Sequence, residues 1–275
     1  MCGSCAAGWG AVNKMKHKVI IGVFLLIFSA LPLLLLLLQS IAPGWGWGEL
    51  FPSVVSVQAW QTALGDPALR EAVIVTIMVI LFVAAGNVIF GVPAAKMLAY
   101  KHFRGKLWLD NLLFLPILIP MTAVAMGIHF TFIRAGLADT WFGTALVLFI
   151  PTLPYTIRVL RAGFERLGPE SEEQSKSLGS TTLQALMFVQ LPQIMPSLRS
   201  AVFLTVVITA GQYILPVIIG GGTVPMLSLL YFPYSNSANE AVVSALSLLF
   251  ALLPLVVILL AEMVMRLVFA AAHRR

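Results

Sequence analysis

Charged residues are scarce in this chain. Asp, Glu, Lys and Arg make up 10% of its 275 residues and hydrophobic residues 60%, whereas soluble domains contain roughly 25% charged residues. So little charge excludes an ordinary water-soluble domain. The composition requires a lipid bilayer to cover most of the chain.

Cysteine is nearly absent too, since Cys2 and Cys5 are the only two. A lone Cys-x-x-Cys is a weak signal, because metal or redox use needs partner ligands or a βαβ context. We therefore expect incidental thiols and no metal site.

Signatures of an enzyme are missing from the sequence. The one Gly-Lys pair, Gly105-Lys106, is followed by Leu107 and does not complete a phosphate-binding loop. No Ser/His/Asp, His-Glu-x-x-His or paired-Asp constellation stands out. We predict that the chain is not an enzyme, with no catalytic residues and no cofactor of its own.

Acidic residues are missing from the middle of the apolar runs. Asp110, Glu71, Glu240 and Glu262 all fall near run ends, whereas proton- or sodium-coupled transporters place carboxylates deep in the membrane. This disfavours a self-contained secondary transporter. We expect His129, in an apolar setting, to be packed against neighbours or at a pore edge.

Long apolar runs are what the sequence does contain. A helix needs roughly 20 apolar residues to cross a bilayer, and runs of about that length occur at 19–41, 71–92, 109–133, 141–160, 198–220 and 241–267. They predict an all-α polytopic membrane protein with six transmembrane helices. The first run exceeds the roughly 7 to 15 residues of a signal peptide and is expected to stay as an anchor.

Basic residues set the orientation. Arg70 and Arg134 are the two of the 17 Lys and Arg residues that fall in the outer loops, and basic residues near span ends are retained in the cytoplasm. Both termini are therefore predicted to be cytoplasmic, in the inner membrane. The net charge of +6 is this asymmetry, and we expect no nucleic-acid partner.

The domain organisation follows from these spans. We expect a cytoplasmic tail at 1–18, a first helix and outer loop at 19–70, a transmembrane domain at 71–267 and a cytoplasmic tail at 268–275. The transmembrane domain contains a polar cytoplasmic insert at 161–197. Because Met15-Lys16-His17-Lys18 is an ordinary start for a membrane protein, residues 1–14 are either a mis-assigned start or a tail.

The insert is predicted to form two short helices. Pro169–Leu178 is rich in helix formers and has carboxylates in its first turns, which suit the helix dipole. Gly179 can adopt the left-handed stop, and Ser180–Thr182 offers oxygens that can cap a second helix. That helix carries an apolar stripe of Leu183, Leu186, Met187, Gln190, Leu191 and Ile194.

Two interpretations of these helices are possible. They could lie on lipid headgroups as an interfacial pair, or they could dock on a protein. The acidic residues of Glu170–Glu173 would be repelled by an anionic inner leaflet. The acidic cluster therefore favours a protein partner.

The fifth run carries a polar stripe with a helical spacing. Thr205, Thr209, Gln212 and Pro216 are separated by four, three and four positions, with Tyr213 beside them, which places them on one helical face. Polar groups are costly in lipid, so this face is expected to point into the bundle or a cavity. A translocation pathway and interhelical hydrogen bonding both remain open.

The insert also matches a known loop in residue type and spacing. That loop reads Glu-Ala-Ala, three residues, Gly, nine residues, Ile, one residue, Leu-Pro. The chain has Glu173-Gln174-Ser175, Gly179, Val189 and Leu191-Pro192 at these positions. With the segments Gly91–Tyr100, Leu115–Pro120 and Pro154–Gly163, the chain resembles the membrane subunits of type I ATP-binding-cassette (ABC) importers.

The resemblance implies a core of five transmembrane helices plus one N-terminal helix. It also implies two ATPase subunits that hold Mg-ATP, a second permease of the same or another sequence, and an extracytoplasmic solute-binding protein. The ATPase-coupling residues it implies are Glu172, Glu173, Gln174, Ser175, Gly179, Val189, Leu191 and Pro192. Gln174 and Ser175 replace the two alanines of the family pattern.

A separate segment indicates which substrate to expect. Gly220–Tyr231 resembles permeases of the polyamine, ferric-iron and thiamine group more than those of the sugar group. The alternative function is an ATP-independent six-span secondary transporter or channel.

Overall fold

The described part of the chain is built from helices. The computed structural model describes residues 21, 22, 24, 28, 30–45, 52, 54–235 and 239–273, and every regular element in those ranges is helical. The helices are α1 Ala30–Ser40, α2 Gln58–Gly65, α3 Pro67–Tyr100, α4 Lys106–Leu118, α5 Met121–Arg134, α6 Trp141–Val147, α7 Phe149–Leu167, α8 Glu170–Ser177, α9 Thr182–Gln193, α10 Met195–Ala210, α11 Ile214–Ile219, α12 Leu227–Ser235 and α13 Glu240–His273. The predicted all-α class is confirmed, whereas Cys2 and Cys5 lie outside the described residues.

Helix length and composition give fewer spans than predicted. Pro67–Tyr100 and Glu240–Leu267 are each long and apolar enough to cross a membrane. Two bent pairs qualify if each counts as one span: α6 with α7, bent by 45°, and α9 with α10, bent by 80°. Within the described ranges the count is therefore two to four, and the predicted six is not confirmed.

Helix α3 is longer than the predicted span 71–92. Asp66 caps its first turn by accepting a hydrogen bond from the Ala68 amide at 2.9 Å, with Pro67 in the first turn. The helix continues through Pro93, which has no amide proton to donate. Burial of Val92, Ala95 and Leu98 offsets that missing bond and carries the helix to Tyr100.

Two predicted spans are interrupted. The run 109–133 breaks at Ile119, which is extended (φ −87°, ψ 134°) because a proline follows it. The run 198–220 breaks between Ala210, the end of α10, and Ile214, the start of α11. The predicted polar face is therefore divided: Thr205 and Thr209 lie on α10, Gln212 and Tyr213 in the connection, and Pro216 on α11.

The chain divides into two compact units, Met1–Gly65 with Tyr234–Leu249 and Asp66–Pro233 with Phe250–Arg275. In the smaller unit, the Trp60 indole donates a hydrogen bond to Ser40 Oγ at 3.1 Å. Gln39 Nε2 donates to Glu240 Oε2 at 2.9 Å. These bonds tie the end of α1 to α2 and to the first residue of α13.

The larger unit contains two apolar clusters. The first cluster consists of Val79, Val83, Ala125, Ala145, Val147, Leu148, Leu215, Ile219, Val224 and Met226. The second cluster consists of Val92, Ala95, Leu98, Ile157, Leu160, Phe164, Leu191, Ile194, Leu198 and Ala201. Helices α3 and α7 take part in packing both clusters, but α9 contributes its buried Leu191 to the second alone.

Candidate functional site

Helices α8 and α9, together called the knob, are the two short helices of the predicted insert 161–197, whose first residues belong to α7 and whose last belong to α10. Glu170, Glu172 and Glu173 occupy the first turn of α8, where carboxylates interact favourably with the helix dipole. Gly179 follows with φ +89°, which confirms the predicted left-handed stop. Of the three predicted cap candidates, Ser180 to Thr182, the structure uses Thr181. Its Oγ1 accepts a hydrogen bond from the Gln184 amide while Gln184 Oε1 accepts one from the Thr181 amide.

A π-helical segment inside α9 was not predicted. It spans Ala185–Gln190, and the Leu191 amide donates to the Leu186 carbonyl, five residues back. Pro192 has no amide proton, so the α-helical bond to the Phe188 carbonyl cannot form. The shifted register divides the predicted apolar stripe. Gln190, Leu191 and Ile194 are buried, whereas Leu183 and Met187 are exposed.

The knob exposes four large apolar side chains. Leu178 is 90% exposed and Leu183 68% exposed, and Met187 and Phe188 are also exposed. We call these four residues the docking face. Exposed apolar side chains of this size can be covered by a protein partner or by a membrane.

The predicted coupling residues occupy different environments. Glu173, Gln174 and Gly179 are exposed, Ser175, Val189 and Pro192 are half-buried, and Leu191 is buried. Ser175, which replaces an alanine of the family pattern, donates to the Ser171 carbonyl at 2.8 Å. Its hydroxyl is thus satisfied within α8.

Glu172 connects the knob to α3. Its carboxylate lies 2.9 Å from Lys96 Nζ and 2.8 Å from Lys176 Nζ. Burial alone would raise the pKa of Glu172, but the two ammonium groups lower it overall. Sequence reasoning missed Lys96 as the partner. The available signal was a lysine near the end of an apolar helix in a chain with an acidic insert.

Buried polar side chains join three helices of the larger unit. Asn87 Nδ2 on α3 donates to Thr152 Oγ1 on α7 at 2.8 Å. The hydroxyls of Thr156 on α7 and Thr205 on α10 are 2.9 Å apart. Thr205 therefore makes the interhelical contact that one of the two open interpretations predicts.

The other predicted pathway residues differ in burial. Thr209 and Pro216 are buried, whereas Gln212 and Tyr213 are half-buried. The Gln212 carbonyl accepts a hydrogen bond from Ser228 Oγ at 2.8 Å. A role for these residues in a pathway stays a prediction.

A cavity of about 320 Å³ lies among α3, α4 and α7. Arg161, in its wall, contacts Asp110 Oδ1 at 2.6 Å and Glu165 Oε1 at 2.7 Å, so its charge is balanced locally. Across the described residues, no group of three His, Cys, Asp or Glu side chains could hold a metal ion.

Apolar helices that can cross a bilayer and carry a polar two-helix knob define a helical membrane protein. Residues 87–270 match the family described as binding-protein-dependent transport system inner membrane component, and the chain belongs to that family. It is a permease subunit of an ABC importer.

Individual relatives agree with the family. The chain is 29% identical over 266 residues, 90% of its length and 92% of the relative's, to the sulfate transport system permease protein CysW of Synechocystis sp.. It is 27% identical over 185 residues, 67% of its length and 69% of the relative's, to the molybdate/tungstate transport system permease protein WtpB of Thermococcus kodakarensis. Neither relative is named for a polyamine, iron or thiamine, so neither supports that substrate expectation.

The fold also has a counterpart among solved structures. The crystal structure of a bacterial ABC transporter involved in the import of the acidic polysaccharide alginate matches with a TM-score of 0.69 and 20% identity, over 96% of this chain and 98% of that one. At this identity the match shows the fold alone.

Proposed function

We propose that the chain forms one half of the solute pathway of a type I ABC importer and couples to a separate cytoplasmic ATPase through the knob. The docking face carries the proposal. Four large apolar side chains, Leu178, Leu183, Met187 and Phe188, stay exposed on a segment whose other apolar residues pack inward. A recess in a partner protein would remove them from water, which is favourable.

The packing of the knob supports a mechanical role. Leu191 of α9 and Ile194, which directly follows α9, belong to the second apolar cluster with residues of α3, α7 and α10. Closure of an ATPase dimer on Mg-ATP would displace the knob, and the spanning helices packed on it would follow. With a second permease and a solute-binding protein, this motion alternates access between the two sides of the membrane.

We infer that the solute is a small oxyanion. The two relatives are named for sulfate and for molybdate or tungstate, which are all compact anions. Polyamines, ferric iron and thiamine are cations and would need different recognition.

Charged substitutions on the docking face test whether the knob binds the ATPase. We expect Leu178→Asp and Phe188→Asp to lower co-purification of the ATPase by about tenfold, because a desolvated apolar anchor is replaced by a charge. Ser177→Asp, at an exposed polar neighbour, is the matched control. Equal ATPase recovery with all three variants would contradict the docking model.

Transport is tested with the assembled importer in liposomes. We expect uptake of labelled sulfate, molybdate or tungstate that requires ATP and the binding protein, and no uptake of spermidine or thiamine. The permease alone should transport nothing. Solute flux from the permease alone would instead support the ATP-independent transporter.

A further inference from the structure

Glu172 lies between two lysines that differ in environment. The Lys96 and Glu172 side chains are 14% and 13% exposed, whereas Lys176, one helical turn from Glu172 on α8, is 47% exposed. An ion pair this shielded from water is strongly destabilised when one partner is removed, because the remaining charge stays buried. The contact between Glu172 and Lys96 therefore resists separation.

Helix α8 packs on the π-helical part of α9 but places no side chain in either apolar cluster. It contains no buried residue, while α9 anchors the knob through Leu191 in the second cluster, with Ile194 directly after the helix. The ion pair thus joins α8 directly to a spanning helix.

Lys96 occupies a distinctive part of that spanning helix. It follows Pro93 by three residues, and Pro93 cannot donate a hydrogen bond to the Ile89 carbonyl. The last two turns of α3, residues 94–100, are therefore linked to the rest of the helix at a point that lacks one backbone bond. A missing bond of this kind is a common site of helix bending.

We propose that Glu172 and Lys96 are positioning residues that transmit displacement of α8 to residues 94–100 of α3. This inference rests on the proposed function, because the displacement comes from the ATPase. The pair makes α8 and the end of α3 move together, with Pro93 as the point where α3 bends.

The assembled importer in liposomes tests the transmission. With Glu172→Gln or Lys96→Met we expect the ATPase to stay bound while solute transported per ATP falls about fivefold or more. Inverting all three charges with Lys96→Glu, Glu172→Lys and Lys176→Glu should restore at least half of the ratio. Lys101→Met, an exposed lysine at the end of α3, should match wild type.

Two results of this experiment would overturn the proposal. One is an unchanged ratio with Glu172→Gln, and the other is no recovery with the inverted triplet although its membrane abundance equals that of wild type.

A distance measurement tests the same link without transport. Spin labels at Met97→Cys on α3 and Ser177→Cys on α8, with Cys2→Ser and Cys5→Ser, report the separation of the two helices in the full chain. We expect a narrow distribution that broadens with Glu172→Gln, and an unchanged distribution refutes the proposal. Absence of ATP-driven uptake by the wild-type complex would instead refute the proposed function, and the distance result then decides the inference alone.

Discussion

The two apolar clusters of the larger unit are similar in composition but different in what they hold. The first cluster packs α3 against α5, α6, α11 and the segment around Val224 and Met226. The second packs the far end of α3 against α7, α9 and α10. The knob is thus built into one cluster and not into the other.

Polar contacts mark the boundary between the clusters. Along α3, Asn87 falls between Val83 of the first cluster and Val92 of the second. Thr152 and Thr156 hold the equivalent place near the start of α7. Under the proposed function, the second cluster moves with the knob, and the polar contacts pass that displacement along α3 and α7.

The largest expected effect comes from deleting matched core side chains. Leu160 in the second cluster and Leu215 in the first are both fully buried, and each Leu→Ala change should lower the free energy of unfolding by about 2–5 kcal/mol. Leu160→Ala should also reduce ATPase co-purification, because the cluster that holds α9 is loosened. Thermal unfolding and pull-down measure the two effects, and equal ATPase loss in both variants would remove the distinction.

A close helix crossing in the second region gives the next effect. A Cβ on Gly163 of α7 would lie 2.6 Å from Ser197 Oγ and 2.7 Å from Ser197 Cβ. Gly163→Ala should therefore cost about 1–3 kcal/mol, and Ser197→Gly should recover part of it in the double variant. Gly127→Ala, where a Cβ meets nothing within 4 Å, is the control. Thermal unfolding without recovery in the double variant would argue against this crossing.

An effect of opposite sign is expected at Gln190. Its side chain is fully buried, and neither amide atom has a hydrogen-bond partner among the described residues. Gln190→Met keeps the approximate shape and removes the unpaired amide, so it should stabilise the knob by up to about 1–3 kcal/mol. The exposed Gln193→Met serves as the control, and a lower melting temperature for Gln190→Met would contradict this account.

The smallest effect is expected at the polar boundary. Thr205→Val removes the contact with Thr156, and interhelical hydrogen bonds in membranes contribute about 0.6 kcal/mol on average. Thr122→Val, at an exposed position on α5, should be neutral. Chemical unfolding in detergent would measure the difference, and a loss several times larger would indicate that the boundary does more than join helices.

Features set by a few neighbouring residues could be predicted from the sequence. The left-handed Gly179 and the cap at Thr181 depend on local backbone chemistry, and both are present. The all-helical fold class could also be predicted, because apolar runs are a property of neighbouring residues. The break at Ile119 also has a local cause, because Pro120 follows it. It was not predicted because the apolar run 109–133 extends beyond it.

Features set by distant residues could not be predicted. The ion pair of Glu172 needs Lys96, which lies 76 positions earlier in the chain, and no spacing rule connects them. The interruption of α10 at Gly211 was concealed because Thr205, Thr209, Gln212 and Pro216 fit a continuous helical period. The period alone does not reveal whether the helix persists.

At Gly179 there is room for a side chain, but the backbone conformation disfavours an L-residue. A Cβ there would meet nothing within 4 Å, yet φ is +89°, a backbone region open to D-residues and costly by roughly 1–2 kcal/mol for L-residues. L-alanine would therefore fit the volume and still weaken the joint between α8 and α9. A D-residue favours positive φ, so a semisynthetic chain with D-alanine at this position should avoid that backbone cost.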